Sequence, residues 1–184
     1  MKQIEEINKT FNDDLLKQIE GLLLKHHTYN LGTPSAILQS AQIPDLPIEL
    51  RASRLREKAM QETHPFDLCE IMDLPEAIRS PLAIFRSATH LGHYVIMTEL
   101  KHHEDNFVVV LQINREKNND EINDIRSIYP KNSKQITNWI NESLLEFIDK
   151  AKMAEWLSKQ RSNSAEVRKQ FNHVAKVIQN FNKQ

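Results

Sequence analysis

The feature that most constrains the fold is a short apolar run from Phe107 to Leu111, which reads Phe-Val-Val-Val-Leu and has polar residues on both sides. Successive side chains of a β-strand point to opposite faces of the sheet, so a strand with this run is apolar on both faces. Such a strand is stable in a sheet that is covered on two sides. The run therefore predicts a central strand between two further layers of structure.

Three other short runs rich in Ile, Val, Phe and Tyr accompany it, namely Leu82 to Ser87, Tyr94 to Leu100 and Ile122 to Tyr129. Phe107 to Asn114 is the third of the four runs in chain order. Only short polar segments separate them, and connections this short join antiparallel neighbours. The sequence thus predicts a four-stranded antiparallel β-meander.

Apolar residues at helical spacing flank these strands on both sides, so the predicted fold class is α+β, with residues 1–184 as a single domain. On the N-terminal side, the predicted helices are one from the start of the chain to about Lys25, one from Pro34 to Ala41 with Thr33 as N-cap, and one from Ile48 towards Glu62. On the C-terminal side, a helix from about Ser133 has an apolar stripe that includes Leu144, Phe147 and Ile148, and a second segment with Met153, Trp156 and Leu157 continues it. The last predicted helix runs from Ser164 to Asn182.

The end of the chain, residues 162–184, is predicted to be a basic amphipathic helix. Its apolar seam spans only two heptads, which favours packing on its own domain, although a partner could also occupy it. From Lys150 onward, the chain contains eight Lys or Arg residues and two Glu residues, which gives a net charge of +6. This basic end could attract phosphates or an acidic protein, or it could be a solvated helical face.

Composition excludes several kinds of site. Three glycines in 184 residues argue against Gly-rich phosphate loops and strained nucleophile turns, and the lone Cys69 excludes an internal disulfide or a cysteine-based zinc site. No histidine spacing typical of metal sites is present, so we expect no metal and no cofactor. The charged stretch Met1 to Asn12 and the lack of any run of roughly 18 apolar residues predict a cytoplasmic protein without membrane association.

Two polar segments are candidates for chemistry. One is the predicted helix that ends at His64-Pro65, and the other is the end of the fourth strand. An imidazole, cations and hydroxyls are the groups that metal-free RNA cleavage requires, because a base, an acid and a charge stabiliser must meet at one phosphorus. The candidate catalytic residues are His64, Lys58, Arg126, Ser127, Tyr129 and Lys131.

The spacing alone does not bring these groups together. Strand alternation places Arg126 on the opposite face from Ser127 and Tyr129 unless a bulge turns the strand. In the alternative interpretation, Arg126 pairs with Asp124 or Glu121, Tyr129 packs, and His64 only terminates a helix. Both interpretations remain open at this level.

The order of segments resembles the phage MuF C-terminal domain family. The resemblance covers residues 31–161. It rests on Leu31-Gly32-x-Pro34, Ile43-Pro44-x-Leu46-Pro47-Ile48-Glu49-Leu50, Leu55, Lys58, His64, Leu74-Pro75, Pro81-Leu82-Ala83-Ile84-Phe85-x-Ser87, Ile125-x-Ser127-Ile128-Tyr129-x-Lys131, Trp139-Ile140 and Asp149-Lys150. The basic C-terminal helix lies outside it.

The resemblance implies a toxin or effector domain of phages and mobile elements. Its layout is similar to the barnase/EndoU/colicin/RelE group of metal-independent ribonucleases, which implies RNA as a partner and an antitoxin or immunity protein as a neutralising partner. The alternative is a non-catalytic protein-interaction module of a phage-derived or mobile-element system. Fold-level likeness does not by itself define a site.

Overall fold

The computed structural model describes residues 2–160 and 165–181. Within these ranges the helices are α1 (Lys2–Ile19), α2 (Ala36–Ser40), α3 (Ala52–Ala59), α4 (Leu74–Arg79), α5 (Ser133–Asn141), α6 (Lys150–Lys159) and α7 (Ala165–Asn180). The strands are β1 (Thr28–Asn30), β2 (Ile48–Arg51), β3 (Ala83–Arg86), β4 (His93–His102), β5 (Asp105–Lys117), β6 (Asp120–Lys131) and β7 (Leu145–Ile148). A 3₁₀ turn at Leu68–Ile71 precedes α4.

The strands form one seven-stranded sheet in the order β1-β2-β6-β5-β4-β3-β7. The four predicted strands are β3 to β6, and each pairs antiparallel with the next. The prediction of four consecutive antiparallel strands with Phe107 to Leu111 in the centre is therefore confirmed. The predicted four-stranded sheet is only part of the observed one, because β1 and β2 extend one edge and β7 extends the other.

The predicted helix from Ile48 is wrong in its first turn. Ile48 and Leu50 are buried while Glu49 and Arg51 are not, which is the two-residue period of a strand, and β2 pairs in parallel with β6. Helix α3 begins only at Ala52 and ends at Ala59, before the predicted limit at Glu62. The prediction is wrong here because the helical spacing of apolar residues in α3 does not extend back to Ile48.

Three other boundaries also differ from the predictions. The apolar stripe at Leu145–Ile148 is strand β7, because Ser143 adopts a φ of 60° and takes the backbone out of helical geometry. Gly21, with a φ of 75°, follows the end of α1 at Ile19 rather than Lys25. The N-cap of α2 is Ser35, whose hydroxyl accepts from the backbone N–H of Leu38, and not Thr33.

Both faces of the sheet are covered. The N-terminal face, covered by α1 to α4, buries Phe107, Val109 and Leu111 of β5. The C-terminal face, covered by α5 to α7, buries Val108. The prediction that this strand is covered on two sides is confirmed.

Helix α7 packs on the C-terminal face. Val174 and Ile178 are buried there, and α7 contacts α5 and α6. At these two residues, the prediction that the last helix packs on its own domain is confirmed. The side chains of Val167 and Phe171 and the predicted helix limits Ser164 and Asn182 lie outside the described residues. None of the described helices has the length and apolar character needed to cross a bilayer.

Candidate functional site

A bulge in β6 determines where the candidate side chains lie. Val110 pairs with Ser127 and Leu111 pairs with Ile125, so Arg126 is an extra residue without a partner on β5. Ile125 and Ile128 are buried in the N-terminal face, while Tyr129 packs against the core of the C-terminal face. Ile125 and Ile128 are three positions apart, which would place them on opposite faces of a regular strand. The extra residue at Arg126 keeps them on the same face.

The structure brings three of the six candidates into direct contact. The ring of His64 stacks on Tyr129, with 6.0 Å between the ring centroids and 25° between the planes. The ammonium of Lys131 lies 5.4 Å from the Tyr129 ring centroid and 5.1 Å from that of Trp139 on α5. We call His64, Tyr129, Lys131 and Trp139 the aromatic–cation cluster.

The electrostatics of this cluster favour an added negative charge. Burial lowers the pKa of Lys131 and raises the pKa of Tyr129. Among the ion pairs of the described residues, none involves Lys131. In the part of the chain that the structure describes, the groups found over its ammonium are two aromatic rings, which attract a cation weakly, by about 0.5–1 kcal/mol at exposed sites.

A cavity of about 350 Å³ adjoins the cluster. Its apolar lining comes from Val95, Val110, Trp139 and Leu144. Its polar lining comes from Arg86, Ser87, Thr89, His90, Ser127 and Tyr129. Ser127 and Tyr129, two residues that carry hydroxyls, thus line a cavity of the C-terminal face.

The loop between β3 and β4 holds a second imidazole at this cavity. The Ser87 hydroxyl accepts from the backbone N–H of Thr89 and from that of His90, at 3.4 and 3.2 Å. The Thr89 hydroxyl lies 2.8 Å from Nδ1 of His90. These contacts fix a turn that carries His90 to the cavity, while Arg86 pairs with Glu146.

Two of the six candidates belong elsewhere. Lys58 contacts Glu57 and Gln61, at 4.0 and 3.5 Å. Among the described residues, no hydrogen bond or ion pair joins Lys58 to another candidate residue. Arg126 donates to Oδ2 of Asp124 at 3.1 Å, as the alternative interpretation of that residue predicted.

Asp124 is the centre of a separate arginine cluster. Its carboxylate is buried and accepts from Arg54 at 2.9 Å, from Arg126, and from Arg115. Burial raises the pKa of Asp124, but the guanidiniums of Arg54, Arg126 and Arg115 outweigh it, so the net pKa is below its usual value. Arg54 also donates to the carbonyl of Ile125 at 2.7 Å, just beyond the last β2–β6 pair.

Sequence reasoning missed His90, the contact of Trp139 with Lys131, and Arg54 and Arg115 as partners of Asp124. The segment His90 to His93 reads as a polar turn, and only its place directly after Ser87 and Thr89 hints at an ordered imidazole. No sequence pattern pairs Lys131 with Trp139 or Arg54 with Asp124. In the part of the chain that the structure describes, no three His, Cys, Asp or Glu side chains are grouped as metal ligands.

A comparison with protein families gives one match. The model of the phage MuF C-terminal domain matches residues 55–155, more than half of the chain. The chain belongs to the phage MuF C-terminal domain family. The matched stretch of this MuF C-terminal domain contains all six candidate residues, whereas β1 and β2 precede it. Comparisons with curated proteins and with solved structures found no match.

Proposed function

We propose that this MuF C-terminal domain is a metal-independent RNA-cleaving enzyme whose site is the aromatic–cation cluster with its adjoining cavity. A base takes the proton of a ribose 2′-hydroxyl, and the oxygen attacks the adjacent phosphorus. The bond from phosphorus to the 5′-oxygen breaks as an acid protonates that oxygen. The products are a 2′,3′-cyclic phosphate and a 5′-hydroxyl.

The observation that carries the proposal is that His64 and Lys131 both contact the ring of Tyr129, which lines the adjoining cavity together with Ser127. An imidazole, an ammonium without a carboxylate partner and two hydroxyls then share one region of the sheet. A phosphate would supply the negative charge that Lys131 lacks, since cations aimed at a developing negative charge stabilise the transition state.

Each group has a role in this proposal. His64 and His90 are the two titratable imidazoles that serve as acid and base. Lys131 stabilises the charge on the phosphorane oxygens, and the hydroxyls of Ser127 and Tyr129 donate to the phosphate. The exposed part of Trp139 offers a face on which a base can stack. Lys58 and Arg126 are left out because their contacts hold them elsewhere.

The family supports a phage-derived origin, and the rest of the biology belongs to the proposal. An enzyme of this kind would act as a toxin or effector in the cytoplasm of a bacterial host. Its own producer would then need a neutralising antitoxin or immunity protein.

The test is RNA cleavage and growth inhibition by the wild-type protein, His64→Ala and Lys131→Ala, each checked for folding by circular dichroism. Removal of a general acid or base lowers the rate by about 10²–10⁴-fold. We expect His64→Ala to fall in this range. The matched control is His26→Ala, which removes an exposed imidazole from the loop after α1 and should leave cleavage intact.

Cleavage should also persist in the presence of a chelator. An inert wild-type protein, or variants that cleave as fast as wild type, would show that the proposal is wrong. The non-catalytic interaction alternative would then replace it. That alternative would have to use a surface other than Val174 and Ile178, since the domain itself buries them.

A further inference from the structure

The arginine cluster holds more positive charge than its carboxylate can neutralise. Arg54, Arg115 and Arg126 all bind Asp124, so four charged groups leave a surplus of two positive charges. Neutralising a buried carboxylate needs only one cation. Burial is the main cause of the lowered pKa of Arg54, and the attraction of Asp124 opposes it. The like charges of Arg126 and Arg51 lower this pKa further, which shows that crowding the arginines raises the free energy of the fold. A bound anion would reduce the repulsion among the arginines.

Two of these arginines are partly exposed and have donors that Asp124 does not use. A guanidinium has five N–H donors, and Arg115 and Arg126 each donate one hydrogen bond to Asp124. The side chains of Arg115 and Arg126 are 29% and 40% exposed, compared with 14% for Arg54. Asp124 therefore fixes two guanidiniums in position while their remaining donors stay open to a ligand.

A second cavity lies at this end of β6. It has a volume of about 370 Å³ and is lined in part by Arg51, Arg115 and Asp124. Besides Asp124, two further acids line the cavity, namely Glu49, which pairs with Lys117, and Glu116. The surplus charge therefore comes from the arginine cluster itself and not from the cavity as a whole.

The position of the cluster suggests what the anion is. Asp124 points away from Ile125, which is buried in the N-terminal face, so it lies on the same side of β6 as Tyr129. Tyr129 is five positions after Asp124 in β6, a distance of ~15 Å along the strand. A single-stranded nucleic acid that lies along this face would bring a second phosphate to the arginines.

We propose that the arginine cluster binds a backbone phosphate of single-stranded RNA, a few nucleotides from the phosphate that is cleaved beside Lys131. The inference rests on the proposed function for the identity of the ligand. Arginine forks match phosphate oxygens in paired hydrogen bonds, and the aromatic rings at the other end of β6 suit unpaired bases. Substrates long enough to reach both ends should therefore bind more tightly than a dinucleotide.

The test measures binding without cleavage. Fluorescence anisotropy would follow a long and a dinucleotide probe made of DNA, which lacks the 2′-hydroxyl and resists this chemistry, at several salt concentrations. Arg115→Gln leaves Asp124 with Arg54 and Arg126, so we expect it to fold. It should weaken binding of the long probe by roughly tenfold, as expected for a hydrogen bond between charged groups. The slope of affinity against salt should fall by about one.

Lys9→Gln is the matched control, because it removes one cation from α1 on the N-terminal face. It should leave the affinity for the long probe unchanged. Arg115→Lys keeps the charge without the fork and should recover only part of the loss.

If wild type binds the long probe and Arg115→Gln binds it equally well, the second site is wrong, and cleavage by the wild-type protein still decides the proposed function. Binding of inorganic phosphate at the cluster without binding of the long probe would also overturn the RNA assignment. A wild-type protein that cleaves RNA but binds both probes with one affinity would overturn it too.

Discussion

The two ends of strand β6 balance positive charge in different ways. At Asp124 three guanidiniums surround one buried carboxylate, and at Tyr129 one ammonium lies over two aromatic rings. A carboxylate binds its cations strongly but uses part of their hydrogen-bonding capacity. The rings attract Lys131 weakly and leave its N–H donors unoccupied. The first arrangement holds the structure together and leaves only part of its donors for a ligand, whereas the second leaves the whole ammonium available.

The largest expected effect is the loss of the carboxylate. Asp124→Ala leaves Arg54, Arg115 and Arg126 together with no anion between them, and breaking a buried ion pair on one side costs about 3–5 kcal/mol. We expect a loss of unfolding free energy in this range, measured by urea denaturation. Asp120→Ala, which removes an exposed carboxylate from the start of the same strand, is the control and should change stability little. Equal stabilities of the two variants would show that the cluster is not structural.

Lowering the pH should destabilise the same arginine cluster, with a smaller loss of unfolding free energy than Asp124→Ala causes. The pKa of Asp124 is lower in the folded protein than its usual value, so the folded state binds fewer protons. The stability from this carboxylate is then complete above about pH 4, the pKa of an unfolded aspartate, and is lost as the pH falls through the lowered pKa. Asp124→Asn lacks this contribution.

The measurement is the unfolding free energy of wild type and Asp124→Asn from neutral to strongly acidic pH. The difference between them should shrink as the pH falls below about 4, by roughly 1.4 kcal/mol for each pH unit at most. A difference that stays constant over that range would mean that other carboxylates, and not Asp124, determine the acid sensitivity.

The sequence predicted the parts of the fold that depend on local pattern. The apolar run at Phe107 to Leu111 gave the central strand and its two covered faces, and short polar connections gave the antiparallel order of β3 to β6. Strands β2 and β7 have four residues each, and apolar residues in so short a segment fit a helical stripe as well as a strand. Pairing with distant strands decided their conformation.

The candidate site was predictable only in part for a related reason. His64, Tyr129 and Lys131 carry recognisable chemistry, and the structure places them in contact. The bulge that assigns Arg126 to Asp124 depends on how β5 and β6 pair, which the sequence of either strand does not state. Arg54 and Asp124 meet across 70 positions of the chain, a separation at which sequence pattern carries no information on contact.

The smallest effect on stability is expected at the aromatic–cation cluster. Lys131→Met keeps a flexible apolar side chain of similar length and removes a cation that has no carboxylate partner among the described residues. Burial lowers the pKa of Lys131, so its charge opposes folding. We therefore expect the variant to be as stable as wild type or slightly more stable, within about 1 kcal/mol. RNA cleavage should nevertheless fall. Arg54→Met likewise replaces a cation by an apolar side chain, at the Asp124 end of β6. It should lower the unfolding free energy by about 1.5–3 kcal/mol because it removes hydrogen bonds to a charged group.

The dependence of the unfolding free energy on pH distinguishes Lys131 from the arginine cluster at the other end of β6. Because the pKa of Lys131 is lower in the folded than in the unfolded state, the unfolded chain binds more protons between the two values. Wild type should therefore gain stability as the pH rises towards about 10, the unfolded pKa, and Lys131→Met should lack this gain. The range stays below the ionisation of Tyr129, whose pKa burial raises. If Lys131→Met instead lost as much stability as Arg54→Met, the rings would be holding Lys131 as firmly as a carboxylate does. The contrast between the two ends of β6, and with it the reason to place a phosphate beside Lys131, would then disappear.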